Sequence, residues 1–218
     1  MKRDNVCSFD SFYSSHPMGF GTQPSKFVVN WIEKNEFTRP PRKALDLGCG
    51  NGRNAFFLEQ SGFAVVAIDI SSQAIMNLRA AAKAAHARQN IAAVCADACS
   101  ISLPQNEFDI ALAYTLIDHI ERPLADSLIA KILHSLKPGG HFLVTVYSDN
   151  DPSVRSLHNS TASPSSFWIK NPYSRDDLFS AFSNFNIMSH KEIDFEDNNH
   201  DYVHRHVMHQ IIAQKPAH

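Results

Sequence analysis

Three glycines follow a short apolar run, and an acid stands just before the first of them. The run ends at Asp46 and Leu47, and Gly48, Gly50 and Gly52 come next. Glycine lets a backbone turn tightly and lie close to a ligand, and the amides that open the following helix then point outward. A carboxylate at this place repels a pyrophosphate and suits a cation. The pattern indicates a nucleotide-type site that receives a positive group beside Asp46.

Two further acids end later apolar runs. Asp69 ends the second run, about 20 residues after the first glycine, which is the spacing of an acid that binds ribose hydroxyls. Asp97 ends a third run. Asp69 is predicted to bind a ribose. Its alternative role is to cap the next helix, which Ser71 or Ser72 can also do.

Periodicity along the chain predicts alternating strands and helices. Further strands are predicted at 63–69, 91–97, 108–114 and 141–147, with helices at 25–35, 54–60, 72–87 and 123–136. Residues 137–140, Lys-Pro-Gly-Gly, are interpreted as a turn. Two β-like runs at 185–195 and 202–214 predict a C-terminal hairpin. This alternation is typical of an α/β fold with a mostly parallel sheet.

Length, charge and cysteine content narrow the class of protein. A chain of 218 residues can bury a sizeable core, so residues 1–218 are interpreted as one domain. A net charge of −2 argues against a nucleic acid partner. The four cysteines have neither zinc nor disulfide-scaffold spacing, and no apolar run is typical of a signal peptide or a membrane span. We expect a cytoplasmic monomer or homodimer without a membrane partner.

The amino-acid sequence of the glycine turn resembles a motif of a known family. Residues 45–54, Leu-Asp-Leu-Gly-Cys-Gly-Asn-Gly-Arg-Asn, resemble the first motif of class I S-adenosylmethionine-dependent methyltransferases. They are most similar to the tellurite-resistance group and its small-molecule relatives, and residues 137–140 resemble a turn of the same family. The resemblance covers about residues 40–147. It implies a Rossmann-like, doubly wound, mostly parallel seven-stranded sheet with an antiparallel C-terminal hairpin.

The resemblance also implies the cofactor and its contacts. S-adenosylmethionine carries an ammonium and a sulfonium, so its amino-acid end is expected at Asp46, and S-adenosylhomocysteine is the product. Asp97 is expected to face the adenine amino group and the Ala98 amide to face the ring. The complete set of expected cofactor-binding residues is Asp46, Gly48, Cys49, Gly50, Asn51, Gly52, Asn54, Asp69, Ile70, Asp97, Ala98 and Tyr114.

By the same resemblance, the methyl acceptor is expected beyond the fourth strand. His119 is the candidate catalytic base, since neutral imidazole can take a proton from a hydroxyl or thiol, and a packing role is its alternative. Residues 1–40 resemble a leader that covers the cofactor held by the core, 41–147; alternatively, their aromatic residues only attach the N-terminus to the core. The length and polar composition of residues 148–173 predict a lid or part of the substrate pocket, ahead of the C-terminal helix and hairpin, 174–218. The predicted pocket residues are Tyr13, Phe20, Asp118, Tyr147, Trp168, Tyr173 and Arg205.

Four histidines near the C-terminus resemble a metal site at first sight. Strand alternation places His204 and His206 on one face and His209 on the other, and no helical pair of histidines with a supporting acid is present. No metal is therefore predicted. The cluster is interpreted as a strand end near the cleft, where either Arg205 or His206 contacts the substrate.

These observations favour methyl transfer to a small-molecule nucleophile by in-line displacement, in which the protein mainly supplies orientation. One alternative is a regulatory subunit that binds the cofactor without catalysis. Another is a methyltransferase that acts on a macromolecule. A nicotinamide-dependent oxidoreductase is a third, against which Asp46 and the terminal hairpin argue.

Overall fold

The computed structural model describes residues 3–17, 20–35, 41–84, 90–156, 169–197 and 204–217. The strands are β1 (Arg42–Leu47), β2 (Phe63–Asp69), β3 (Ile91–Cys95), β4 (Phe108–Tyr114), β5 (Leu136–Tyr147), β6 (Asn186–Asp197) and β7 (His204–Gln214). The helices are α1 (Arg3–Ser15), α2 (Lys26–Lys34), α3 (Arg53–Gln60), α4 (Ser72–Ala84), α5 (Arg122–Ser135), α6 (Pro152–Ser156) and α7 (Arg175–Ala181), and a 3₁₀ turn lies at Ile117–His119.

The seven strands form one sheet in the order β3-β2-β1-β4-β5-β7-β6. β1 pairs in parallel with β2 on one side and with β4 on the other. β7 lies antiparallel between β5 and β6, which confirms the predicted hairpin and fold. The direction of strand order reverses between β1 and β4, and in open α/β sheets ligands bind in the crevice at the carboxyl ends beside such a point.

Alternate residues of the central strands face two separate apolar cores. Leu45 and Val144 belong to the core that α5 covers. Leu112 and Leu143 belong to the other core, which α2, α3 and α4 cover. We call this second side the α3 face of the sheet. Since strand residues alternate, Asp46, Tyr114 and Tyr147 also lie on the α3 face, at the carboxyl edge.

Two elements differ from the sequence prediction. Residues 3–15 form α1, although proline, glycine and serine nearby predicted an irregular leader. The fifth strand begins at Leu136 rather than at residue 141, because residues 137–140 belong to a bulged region of β5. Gly139 has a φ of 78°, and its amide donates to the carbonyl of Lys215, so long-range pairing extends the predicted turn into the strand.

The described parts of the segment after β5, residues 148–156 and 169–173, contain regular structure that the sequence did not predict. α6 lies at its start, and Ser148 forms a parallel bridge with Tyr173. Residues 157–168, which include Trp168, lie outside the described residues. The remaining boundaries agree within a few residues. No helix in the described ranges is long and apolar enough to cross a membrane.

Candidate active site

The turn between β1 and α3 is held against the end of β2. The amides of Gly48 and Cys49 both donate to the carbonyl of Ile68, at 2.8 and 3.1 Å. Gly48, Gly50 and Gly52 have φ values of 67°, 55° and 87°, which non-glycine residues rarely adopt. Gly52 caps α3 in this left-handed conformation. The three glycines therefore give the backbone the tight curve that the sequence predicts.

Asp46 is a buried acid beside this turn. Its side chain lies on the α3 face with 1% exposure, and Oδ2 finds no hydrogen-bond partner among the described residues. Burial raises the pKa of Asp46 to about 7, with a further contribution from Asp69, while Arg53 opposes the rise. A buried, unpaired carboxylate is costly, and a cation at Oδ2 would relieve that cost.

Asp69 ends β2 and links the glycine turn to α4. Its Oδ2 accepts the Gly50 amide at 2.8 Å, and its Oδ1 accepts the Ser71 amide at the same distance. Burial raises the pKa of Asp69, although these amides oppose the rise. Each carboxylate oxygen has two lone pairs, so Asp69 retains acceptor capacity for two hydroxyls. Ser71, rather than Asp69, caps α4 by accepting the Ala74 amide.

The third acid of the sequence prediction lies just beyond β3. Asp97 Oδ1 accepts the Cys99 amide at 2.9 Å, which shapes the turn that also contains buried Ala98. Ile70 directly follows β2, and its carbonyl accepts a contact from the thiol of Cys95 at the end of β3. Ile70 therefore lies beside the turn that contains Asp97 and Ala98. The fold thus brings Asp46, Asp69 and Asp97 to one edge, at the ends of three adjacent strands.

The leader packs directly over the glycine turn. Tyr13 is 5% exposed, and a Cβ at Gly50 would collide with its hydroxyl. Asn51 donates to the carbonyls of Pro17 and Gly21, each at 3.3 Å. These contacts place Tyr13, Pro17 and Gly21 against the turn, as parts of a cover over it.

Two further contacts hold the leader to α3. Arg53 donates to the Phe20 carbonyl at 2.8 Å, and its guanidinium lies 5.1 Å from the centre of the Tyr114 ring. The side chain of Asn54 accepts a hydrogen bond from the amide of Ser25 at 2.9 Å. The motif residues Asn51, Arg53 and Asn54 therefore bind the leader as well as shaping the turn.

Beyond β4, His119 lies between rings of two other elements. Its ring centre is 6.2 Å from that of Phe9 on α1 and 6.3 Å from that of Tyr147 on β5, both edge to face. The neighbouring Asp118 is fully buried, and its Oδ2 accepts the Tyr147 amide at 3.0 Å. Asp118 Oδ1 has no partner among the described residues. Burial raises the pKa of Asp118.

Comparison with known proteins agrees with this geometry. Residues 44–140 match a family model described as a methyltransferase domain. Residues 44–140 of this chain form a methyltransferase domain. S-adenosylmethionine is the cofactor that the resemblance to class I methyltransferases implies. The predicted family resemblance is therefore confirmed.

Three known proteins illustrate the similarity. Over 157 residues, 71% of this chain and 47% of the relative, the chain is 29% identical to Hemagglutinin 1 of Eikenella corrodens. Over 126 residues, 57% and 52% of the two chains, it is 25% identical to the ubiquinone biosynthesis O-methyltransferase of Leptothrix cholodnii. TehB of Haemophilus influenzae shares the fold with a TM-score of 0.72 at 19% identity, covering 95% of this chain and 67% of TehB. The chain spans about half the length of these two curated relatives.

Two predicted pocket residues lie away from the cleft of the methyltransferase domain. Tyr173 is fully buried in the opposite core, under the guanidinium of Arg122 at 4.1 Å from its ring centre. Arg205 is 60% exposed and forms an ion pair with Asp194 across the hairpin. These two side chains therefore lie on the opposite face of the sheet from Tyr147, although Tyr173 is close enough to Asp118 to interact with it electrostatically.

The C-terminal histidines divide between the two faces, as alternation predicts. His206 contacts Asp151 on the α3 face, and His209 lies on the other, 3.1 Å from both His190 and the Tyr173 carbonyl. Burial lowers the pKa of His209. In the described part of the chain, no three His, Cys, Asp or Glu side chains cluster closely enough to hold a metal ion.

Sequence reasoning missed two long-range pairs at this edge. Asp10 on α1 accepts the Ser71 hydroxyl at 2.6 Å and the Gln73 amide at 3.1 Å. Asp151 contacts His206 from 55 residues away. Helical spacing of aromatic residues in the leader could have indicated α1. No local sequence pattern predicts the contact of Asp10 with α4 or that of Asp151 with His206.

Proposed function

We propose that this protein transfers a methyl group from S-adenosylmethionine to a small-molecule nucleophile by in-line displacement. The observation that carries the proposal is Asp46, whose buried Oδ2 is unpaired among the described residues. A pyrophosphate-binding turn gains nothing from a carboxylate here. The ammonium of the cofactor's amino-acid end supplies the charge that Asp46 requires.

The other strand-end residues fit the rest of the same cofactor. Asp69 accepts the vicinal hydroxyls of its ribose, and Asp97 with the Ala98 amide receives its adenine. When bound, the cofactor supplies an electrophilic methyl carbon attached to a sulfonium. The glycine turn and the leader exclude water and fix orientation, which for well-aligned reactants is worth about 7–11 kcal/mol.

Two features support a small acceptor. The leader packs on the glycine turn through Tyr13 and Pro17, which favours an acceptor small enough to fit beneath such a cover. The chain has a net charge of −2, which offers no general attraction to a nucleic acid. His119, between Phe9 and Tyr147, lies at the strand end where the acceptor is expected and contacts it either as a base or as part of the wall.

Thermal unfolding with S-adenosylhomocysteine, and with NAD in parallel, tests the cofactor. A ligand at 100 times its dissociation constant adds about 2.7 kcal/mol, or roughly 5–10 °C for a chain of this size. We expect a shift with S-adenosylhomocysteine alone. A shift with NAD alone would refute the proposal.

Calorimetry on Asp69→Ala tests the ribose contact. We expect S-adenosylhomocysteine affinity to fall by about tenfold or more, since a charged hydrogen-bonding group is removed. Asp176→Ala is the matched control, because Asp176 is an exposed first-turn acid of α7, far from the cleft. Equal affinity in Asp69→Ala and the wild type would remove the ribose assignment.

A further inference from the structure

Asp151 and His206 form a buried acid–imidazole pair that methyl transfer as described above does not use. The exposed fractions of their side chains are 0% and 3%, and Asp151 Oδ2 lies 3.1 Å from His206 Nδ1. Asp151 Oδ2 also accepts the Val207 amide at 2.7 Å, and Oδ1 accepts the Ser153 amide at 2.8 Å. The acid is therefore held from two sides and cannot rotate away from the ring.

This arrangement assigns the tautomer of His206. Burial raises the pKa of Asp151, but hydrogen bonds from His206, Ser153 and Val207 outweigh burial, so the pKa lies below its ordinary value. An ionised carboxylate only accepts hydrogen bonds, so the proton of neutral His206 is on Nδ1. Nε2 is then the basic nitrogen. An acid that orients an imidazole in this way is the usual support of a general base.

His206 belongs to a row of rings that crosses the acceptor side of the cleft. Neighbouring ring centres lie 6.2 Å apart for Phe9 and His119, 6.3 Å for His119 and Tyr147, 5.1 Å for Tyr147 and His206, and 5.9 Å for His206 and Phe195. The row therefore joins α1, the 3₁₀ turn that follows β4, and the strands β5, β7 and β6. Aromatic rings pack favourably against other planar rings in offset or edge-to-face geometry, so this row favours an acceptor that is itself a planar ring.

The row lies on the same side of the sheet as the cofactor site. Thr145 and Gln210 are register partners, as are Tyr147 and Met208. Residues 206, 208, 210 and 212 of β7 share one face by alternation, and Ile212 packs in the core of the α3 face. His206 is thus on the face that carries Asp46, one strand beyond Tyr147.

The carboxylate of Asp151 lies directly against the ring of His206. Arg205, the preceding residue of β7, lies on the opposite face by alternation and is paired with Asp194. The carboxylate of Asp151 would repel a phosphate or carboxylate at this end of the row, but it would not repel a neutral hydroxyl.

We propose that His206, oriented by Asp151, takes the proton of a hydroxyl group carried by a planar aromatic methyl acceptor. The inference rests on the methyl transfer proposed above. The acceptor oxygen forms a bond to the methyl carbon, and the carbon–sulfur bond breaks with its electron pair going to sulfur. The hydroxyl proton passes to His206 Nε2 and later to solvent, so the imidazole returns to its starting state.

Imidazole nitrogen spectra of ¹⁵N-histidine-labelled protein test the inference. The protein is loaded with S-adenosylhomocysteine and titrated with catechol, and with 1,2-dimethoxybenzene as a ring of similar shape that has no hydroxyl proton. We expect His206 in the Nδ1–H tautomer, an Nε2 shift on addition of catechol, and at least tenfold weaker binding of the dimethoxy compound. No catechol binding, or binding that leaves the His206 nitrogens unchanged, would overturn the inference.

Variants separate a base from a structural residue. His206→Gln should bind catechol at least tenfold more weakly while binding S-adenosylhomocysteine as the wild type does. His190→Gln, on the opposite face, should change catechol affinity less than twofold. Equal losses in the two variants would overturn the inference. If His206→Gln does not fold, the wild-type nitrogen shifts decide alone, and failure to bind S-adenosylhomocysteine would instead refute the proposed function.

Discussion

Three buried oxygens at the carboxyl edge have no hydrogen-bond partner among the described residues. They are Asp46 Oδ2, Asp118 Oδ1 and Thr145 Oγ1, at or just beyond the ends of β1, β4 and β5. An unsatisfied buried polar group costs about 1–3 kcal/mol, so folded proteins carry few of them. Their concentration at one edge is what the proposed ligand site requires, because a ligand there could satisfy these oxygens.

Gly50 tests how closely the leader and the glycine turn depend on each other. In Gly50→Ala, the φ of 55° strains the new residue and its Cβ collides with the Tyr13 hydroxyl. We expect a fall in melting temperature of more than about 6 °C and at least tenfold weaker binding of S-adenosylhomocysteine. Calorimetry and thermal unfolding measure the two effects.

Gly21→Ala is the matched control for this substitution. Gly21 has a φ of 77°, but a Cβ there would meet nothing within 4 Å. Backbone strain alone costs about 1–2 kcal/mol, so we expect a fall of roughly 2–6 °C. Adding Tyr13→Phe to Gly50→Ala removes the colliding hydroxyl and should restore part of the loss. Similar effects of the two alanines, with no recovery, would show that strain rather than the leader contact governs Gly50.

At the scale of elements, α1 is bound to α4 by polar contacts. Asp10 accepts hydrogen bonds from Ser71 and Gln73 at the start of α4, and Asn77 donates to the Tyr13 carbonyl at 3.3 Å. Burial raises the pKa of Asp10, but the hydrogen bonds from Ser71 and Gln73 outweigh burial and leave that pKa below its ordinary value. Because this pKa is lower in the folded than in the unfolded protein, Asp10 contributes stability at pH values above its unfolded pKa. That contribution is lost as pH falls through its folded pKa.

Asp10→Ala should therefore loosen α1 without affecting the sheet. Loss of a capping acid typically costs about 1 kcal/mol, or roughly 2–4 °C in melting temperature. We expect faster hydrogen exchange at the Gln73 amide and faster proteolysis within residues 3–17. Asp176→Ala, which removes an exposed acid from the first turn of α7, controls for charge alone. Unchanged exchange at Gln73 would mean that Asp10 does not secure α1.

The elements that the sequence predicted best are those with strong local signals. β2 and its terminal Asp69 follow from an apolar run and a fixed interval after the glycines. α1 was missed although Phe9, Phe12, Tyr13 and His16 have helical spacing, because nearby proline and glycine argued for a loop. The start of β5 was missed because its pairing with Lys215 is distant in sequence. Asp151 and His206 meet only through the register of β7, which no local pattern encodes.

At the scale of the whole molecule, the direction in which the pKa of a carboxyl group is shifted depends on where the group lies. At the carboxyl edge, burial raises the pKa values of Asp46, Asp69 and Asp118. On the hairpin, hydrogen bonds from Ser148 and Asn150 lower the pKa of Glu192. The first group weakens the ligand-free fold as pH rises, and the second strengthens it. The ligand-binding edge and the periphery therefore respond to pH in opposite directions.

Asp46 makes this division measurable. Its folded pKa of about 7 exceeds the unfolded value of 3.8, so its stabilising contribution is complete below about pH 4 and is lost as pH rises to about 7. A bound ammonium reverses this, because it favours the ionised acid. We expect calorimetry to show S-adenosylhomocysteine affinity increasing from pH 5 to 7 and then levelling, by up to about tenfold per unit.

Asp46→Asn separates this contribution from that of Asp69, because the amide has the shape of the protonated acid but cannot ionise. The ligand-free variant should melt about 2–8 °C above the wild type at pH 8 and within about 1 °C of it at pH 4, since only the ionised acid is costly. Its affinity for S-adenosylhomocysteine should be lower than that of the wild type at pH 8. Between pH 5 and 7 its binding should release about one proton fewer, so its affinity should change less with pH. A variant less stable than the wild type at pH 8 would show that Asp46 is paired in the ligand-free protein. Higher stability with undiminished affinity would separate the buried charge from cofactor binding, so both results are needed to show that Asp46 destabilises the fold in order to hold a cation.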